Sequence, residues 1–351
     1  MNNNSKETKE VMAFKPVEVV KELLASLGAR PRDVVKRRYG LATKETMTLE
    51  AVGQIYGITR ERVRQIENAT IAQIKKSEAN TAAQSIFAQL KGVMEDYGGL
   101  VHEQEFLDHI SKDQVVQNNV HFLLVLGDAF AKLKEDDYFH HRWTVDASLA
   151  EGVHQSLRNL CQVLDTNELV SEDKIVEHFM SGLDKRVSPE MARQKVKNWL
   201  KLSKEIGLSP VGEWGLAKSP NVRVRGIKDY AFLVMRRKGS PMHFTEVAKE
   251  ITATFGRKTN AATSHNELIK DPRFVLVGRG LYALGDWGYT PGIVRDVIKQ
   301  ILDKNGAMTK AQVMAAVKKE RYVKDNTILV NLKNPKFFKE DKKSGLFSNP
   351  K

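Results

Sequence analysis

The sequence is short of the residue types that build several common kinds of site. Cysteine occurs once in 351 residues, at Cys161. A single cysteine excludes an internal disulfide framework and any cysteine-based zinc site. No run approaches the roughly 18 consecutive apolar residues that a membrane-spanning helix needs. The amino-terminal MNNNSKETKE has no apolar stretch, so neither a signal nor a transit peptide is expected there. There is no glycine-rich phosphate loop: VGRGLYALG (277–285) has strand-forming residues on both sides of its glycines and no helix behind them. His102 and His109 lie seven residues apart without an HExxH spacing, and His140-His141 have no second ligand pair. No metal, cofactor or enzymatic activity is therefore expected, and the chain reads as cytosolic.

What the sequence does have is positive charge, unevenly placed. The net charge of +13 divides into +6 over residues 1–94, −7 over 95–220, +6 over 221–289 and +8 over 290–351. Both ends attract a polyanion and the middle repels one, so separate roles are expected for ends and middle.

At this length several small domains are expected. Residues 1–16 are polar and aperiodic, and are expected to be disordered. Helical patterning begins with VEVVKELLASLG, expected to stop at Gly28, and PRDVVKRRYGL follows. Two short helices joined by Gly57-Ile58-Thr59 come next, and the second is expected to run on through TAAQSIFAQLKGVMEDYGG. Gly98-Gly99 marks the first boundary. Beyond it a loose unit recurs, a helix, a turn, two more helices and a short hydrophobic hairpin, which is the winged-helix pattern. The clearest copy spans 226–288, with a hairpin whose strands alternate around Gly278-Arg279-Gly280. The expected domains are a helix-turn-helix at 17–94, modules at 98–147 and 151–220, the winged helix at 226–288 and a basic module at 290–351. The fold class is mainly α, a helix-turn-helix domain followed by tandem winged-helix modules.

The stretch TLEAVGQIYGITRERVRQIE (48–67) carries the sharpest functional signal. With Thr59 as N-cap and ~100° per residue, Arg60, Glu61, Arg64, Gln65 and Asn68 share one face. Val63, Ile66, Thr70 and Ile74 share the other, expected to pack on Leu49, Val52, Ile55 and Tyr56. Arginine bridges guanine O6 and N7, glutamine pairs with adenine, and glutamate accepts from cytosine N4. These residues fall in the first turns, the part of a recognition helix that enters the major groove. A solvated charged face with local Glu–Arg pairs is the competing reading.

The order of residues, RPRDVVKRRYGL then TLEAVG then TRERVRQIE, resembles region four of bacterial sigma-70 family factors over about residues 17–78. That resemblance implies recognition of the upstream promoter element and docking on the flap of RNA polymerase core. It makes Arg60, Glu61, Arg64 and Gln65 the base-reading candidates and Arg62 a phosphate contact. It does not extend to the aromatic-rich region two that opens promoters. A second resemblance, carried by GSPMHFTEVAKEI and LIKDPRFVLVGRGLYALGDWG, is to the HARE-type winged helix, an adaptor without catalytic activity. There Arg273 and Arg279 are candidates for phosphate contact, and His243 for a structural role. In the lysine-rich carboxyl end, KNPKFFKEDKKSG, Lys342 and Lys343 are further phosphate candidates, with Phe337 and Phe338 packed beneath.

The expected partners are double-stranded DNA and RNA polymerase core, with no membrane partner and a cytoplasmic, nucleoid-associated location. The expected function is that of a DNA-binding transcription factor. Two other readings stay open: an accessory subunit of RNA polymerase similar to delta, and the DNA-targeting adaptor of a restriction or defence system.

Overall fold

Side-chain caps written into the sequence set most helix starts. Thr48, Thr59, Ser77, Asp113, Asp146, Ser171 and Asn260 each accept a hydrogen bond from a backbone N–H of the turn that follows. Each such cap contributes about 1 kcal/mol by satisfying an orphan donor. The structure, a computed structural model, describes residues 12–290, 292–341 and 344–350. The chain divides into two compact units. One runs to Leu208 and includes Gly212–Lys218; the other takes Ser209–Val211 and the chain from Ser219 onward.

The first unit opens with α1 (Pro16–Leu23), α2 (Ala29–Tyr39), α3 (Leu49–Tyr56) and α4 (Arg60–Lys75). Helix α1 stops at Leu23 rather than Gly28, and Gly28 instead caps the start of α2. The single long helix expected after Thr59 is also broken. Ser77 donates to the Ile74 carbonyl at 2.7 Å and accepts from the Asn80 N–H, which ends α4 and starts α5 (Glu78–Ala82). Helix α6 (Gln84–Tyr97) follows. Of the disordered tail expected at 1–16, residues 1–11 lie outside the described residues, while Met12 and Phe14 pack against the core.

A winged-helix layout then recurs four times. The first copy joins α6 to β1 (Leu100–His102), α7 (Glu103–Ile110), α8 (Gln114–Leu126), β2 (Ala131–Leu133) and β3 (Arg142–Thr144), in strand order β1-β3-β2. Gly98 and Gly99 form the turn between α6 and β1. One apolar core crosses this turn, containing Leu23, Leu24 and Ile74 as well as Leu90, Phe106, Phe122 and Trp143.

The second copy contains α9 (Ala147–Val163), α10 (Glu172–Ser181), α11 (Pro189–Leu200), β4 (Ile206–Leu208) and β5 (Trp214–Leu216). Its first strand is reduced to Val170, bridged to Trp214. Its core centres on Trp199, Phe179 and Leu157. The connection between β2 and β3 is hydrogen-bonded to this copy, with His140 N–H to Leu202 O at 3.0 Å and Lys204 N–H to Tyr138 O at 2.8 Å.

In the second unit the third copy is α12 (Ile227–Lys238), β6 (Met242–His243), α13 (Phe244–Phe255), α14 (Ala261–Lys270), β7 (Phe274–Gly278) and β8 (Leu281–Leu284), in order β6-β8-β7. The fourth is α15 (Val294–Asn305), β9 (Met308–Thr309), α16 (Lys310–Glu320), α17 (Asp325–Leu332), β10 (Lys339–Asp341) and β11 (Leu346–Ser348), with β11 between β9 and β10. The chain is thus mainly α, a helix-turn-helix followed by tandem winged-helix modules.

The repeat explains the isolated histidines. In every copy the residue that ends the first strand also caps the second helix: His102, Ser171, His243 and Thr309. His102 Nδ1 accepts from the Glu105 N–H at 3.2 Å and His243 Nδ1 from the Thr245 N–H at 3.4 Å. Imidazole does here what serine and threonine do in the sister copies.

Candidate nucleic-acid interface

Helices α3 and α4 form the helix-turn-helix. Thr48 and Thr59 cap them, each accepting from the N–H three residues on, at 3.1 and 3.2 Å. Gly57 ends α3 at φ 64°, a left-handed conformation that glycine adopts at little cost. Gly53 permits the close crossing, because a Cβ there meets the Ile58 carbonyl oxygen at 2.6 Å. The small core of this motif is Val34, Val52 and Val63, with Leu49, Tyr56, Ile58 and Ile66 around it. Val34 of α2 is a third wall that the pattern of the hairpin alone does not reveal. Ile55, expected to pack against α4, is instead 49% exposed.

The polar face of α4 lies open to solvent: Arg60, Glu61, Arg62, Arg64, Gln65 and Asn68 are all exposed. Arg64 forms a two-pronged pair with Glu61, at 2.8 and 2.6 Å. That hydrogen bond holds the Glu61 carboxyl below its ordinary range and the guanidinium above its own. An exposed pair of this kind is worth little to the fold, and it presents donor and acceptor together in one plane. Arg62 donates to the Gln65 amide oxygen at 3.1 Å. Arg60 has no ion-pair partner among the described residues.

A polar layer beneath α4 fixes its orientation. Glu67, nearly buried, accepts from Arg38 Nε at 3.3 Å, and the same guanidinium donates to the Met47 carbonyl. Tyr39 shares Glu67; burial first, then that carboxylate, pushes its phenol up. At the edge, Tyr56 donates to Asp33, which also accepts from Arg37 at 2.6 Å. These bonds hold the Asp33 carboxyl below the usual range, the Tyr56 bond most strongly. Glu67 was not among the sequence candidates; a glutamate one turn beyond the recognition face reads as solvated until its partner on α2 is known.

The loop from α2 to α3 is held from the other side by α8. Asn118 Nδ2 lies 3.1, 3.3 and 3.4 Å from the carbonyls of Gly40, Thr43 and Lys44, and Asn119 Nδ2 lies 3.1 Å from that of Leu41. Lys75, at the end of α4, pairs with Asp128 at 2.6 Å just past α8. Helix α8 is the third helix of its winged-helix copy, the counterpart of a recognition helix. Its face from Gln117 to Leu126 is largely buried, and it serves as a brace for the helix-turn-helix.

The remaining candidates fall in the second unit. Arg273 is half-buried, and its guanidinium meets Asp229 at 2.8 Å, Asp271 at 2.7 Å and the Asn221 side-chain oxygen at 3.0 Å. Two carboxylates balance its charge, and it joins the start of α12 to the start of the β7–β8 wing. Arg279 is exposed at the wing turn. The adjoining wing strand is engaged: Val277 O accepts from the Tyr322 N–H at 2.7 Å, and Gly278 and Tyr322 form a parallel bridge. Lys342 and Lys343 lie outside the described residues. Of the two phenylalanines beside them, Phe338 is buried in the fourth core, whereas Phe337 is 36% exposed with Arg295 4.3 Å over its ring.

Comparison with known proteins separates two segments. Residues 23–76 match the family described as sigma-70, region 4, and residues 225–287 match the HARE-HTH family, a restriction endonuclease HTH domain. Among relatives, RNA polymerase sigma factor SigA of Nostoc sp. (strain PCC 7120 / SAG 25.82 / UTEX 2576) is 42% identical over 64 residues, which is 18% of this chain and 16% of that protein. RNA polymerase sigma factor SigA of Microcystis aeruginosa is 41% identical over 64 residues, 18% of this chain and 15% of its own length. RNA polymerase sigma factor sigB of Arabidopsis thaliana is 36% identical over 63 residues, 18% of this chain and 11% of that protein. The chain therefore spans less than a fifth of the length of these relatives. The similarity is to their region-four segment, and no helix among the described residues is long and apolar enough to cross a membrane.

Proposed function

We propose that this chain is a DNA-binding transcription factor in which α4 reads duplex DNA, acting in initiation or its regulation with a bacterial-type RNA polymerase. The observation that carries the reading is the exposed face of α4. Arg60, Glu61, Arg64 and Gln65 stand in the first two turns of the second helix of a helix-turn-helix, the part that faces base edges in the major groove. Arg64 and Gln65 have the chemistry for guanine and adenine, and Glu61 for cytosine. Arg62 is assigned to a phosphate. The similarity of residues 23–76 to sigma-70 region 4 supports both the DNA reading and a contact with polymerase core.

The wings divide by geometry. Arg273 is assigned to holding its own domain together, since both its charge and its hydrogen bonds are used internally. Arg279, with the exposed cations of the fourth module, is assigned to electrostatic grip. The acidic middle modules brace the helix-turn-helix and give it no DNA contact of their own.

Fluorescence anisotropy on a labelled duplex across a salt series tests the reading. About four phosphate contacts give a slope of log K on log salt near −3.6. Arg62→Ala is expected to make the slope shallower by about 0.9. A salt-independent affinity, or no duplex binding at low salt, refutes the proposal.

A further inference from the structure

Between α1, α2 and α8 the first unit encloses a cavity of about 470 Å³. Val20, Leu24, Leu41 and Val115 supply its apolar walls. A volume of this size falls within the range of small-molecule sites. Its charged lining is of one sign: Lys21, Arg32 and Lys36 reach it, and no carboxylate does. The acids on the same helices are engaged elsewhere or turned aside. Asp33 on α2 is held by Arg37 at 2.6 Å, and Glu18 on α1 faces Lys15 at 3.6 Å.

Arg32 is the most telling of the three cations. Its Nη2 donates to the carbonyls of Ala25 at 2.7 Å and Leu27 at 2.6 Å, which fixes the guanidinium in place. Its Nε is buried and donates to nothing. A buried, charged donor without an acceptor carries an unmet desolvation cost, which an anionic oxygen arriving in the cavity removes.

We propose that this cavity binds a small amphipathic monoanion. The apolar body lies between α1 and α8, and a carboxylate head meets Lys21, Arg32 and Lys36. A protein helix, about 10–12 Å across with its side chains, is a poorer fit, because α8 already packs against α1 and closes the groove. The site is also wired to the helix-turn-helix. Leu41 and Ala42 line the cavity, and Asn119, which lines it too, holds the Leu41 carbonyl. The same loop continues through Thr48 into α3. An occupant seated against Leu41 stiffens this loop and so biases the setting of α3 and α4; this last step rests on the proposed DNA reading, whereas the binding site does not.

Calorimetric titration of the full chain without DNA tests the site, with decanoate, decanol and decyltrimethylammonium as probes. Decanoate is expected to saturate one site and to bind at least tenfold tighter than either of the others. The double variant Lys21→Ala/Lys36→Ala is expected to bring decanoate down to the affinity of decanol, and Val115→Trp to remove binding by filling the cavity. Circular dichroism melting identifies a variant that has failed to fold, and the lysine pair, being at the surface, keeps the test valid if Val115→Trp does. On decanoate binding, hydrogen exchange over residues 40–47 is expected to slow. Absence of saturable binding, equal affinity for all three heads, or decanoate binding unchanged by the lysine variant overturns the proposal. So does binding of an acidic helical peptide in place of decanoate, which makes the groove a protein dock. Because no DNA is present, a negative result leaves the DNA reading standing.

Discussion

Replacing Asn118 by alanine isolates the brace between α8 and the helix-turn-helix. The amide nitrogen of Asn118 serves the carbonyls of Gly40, Thr43 and Lys44, and its oxygen accepts from Gln114 at 3.0 Å. The side chain is almost fully buried, so water does not fully replace it. Leaving a buried carbonyl without its donor costs about 1–3 kcal/mol, and about 2 kcal/mol is the expected value for Asn118→Ala. Where loop residues 40–47 exchange by local opening, 2 kcal/mol corresponds to about a 30-fold rise in rate. Hydrogen exchange read by mass spectrometry resolves this segment, including the Met47 N–H that donates to the Arg37 carbonyl. The faster exchange is expected in that loop and at the start of α3, with α9 to α11 unchanged. A uniform acceleration across the whole unit, or no change in the loop, refutes the assignment of α8 as a brace.

Three other outcomes follow from the same geometry. Arg64→Ala is expected to weaken binding of a selected duplex by about 1–3 kcal/mol and to relax preference at one base position, read by competition among single-base variants; equal loss on every sequence marks a phosphate contact instead. Gly53→Ala drives a methyl group against the Ile58 carbonyl, and about 1–3 kcal/mol of overpacking strain is expected in denaturant unfolding; an unchanged midpoint contradicts the close crossing of α3 and α4. His154 accepts from Arg142 Nε at 2.8 Å, and burial first, then that guanidinium, lowers its pKa to about 4. The unfolded chain then binds the extra proton between pH 6.5 and 4, so stability is full above pH 6.5 and falls as the pH drops through that window. About 2 kcal/mol is lost between pH 7.5 and 5, and His154→Gln is expected to flatten that slope in urea titrations; an unchanged slope rules His154 out as its source.

Much of the helix-turn-helix was legible because its signals are local. Thr59 followed by an arginine-rich turn states a cap, the 3.6-residue period separates Val63 from Arg64, and Gly57 states the turn. The winged-helix copies at 226–288 and 290–351 were legible for the same reason, through alternating strands and glycine turns. What lay hidden depends on contacts distant in sequence. Glu67 is buried only because Arg38, 29 residues earlier, comes to meet it. Asn118 lies 78 residues from Gly40, and no periodicity connects them. Ile55 has the spacing of a packed residue, yet α2 supplies Val34 to the core in its place. The break at Ser77 was present in the sequence as a cap, but the apolar period running through it gave the stronger and misleading signal.

Selection of bound sequences from random duplex DNA, with and without RNA polymerase core, tests the central claim most directly. The account predicts an enriched motif whose information content drops at one position for Arg64→Ala and which sharpens to a promoter-like element when polymerase is present. Recovery of unenriched sequence under both conditions, or a motif that survives Arg60→Ala, Arg64→Ala and Gln65→Ala together, contradicts the claim that α4 reads DNA.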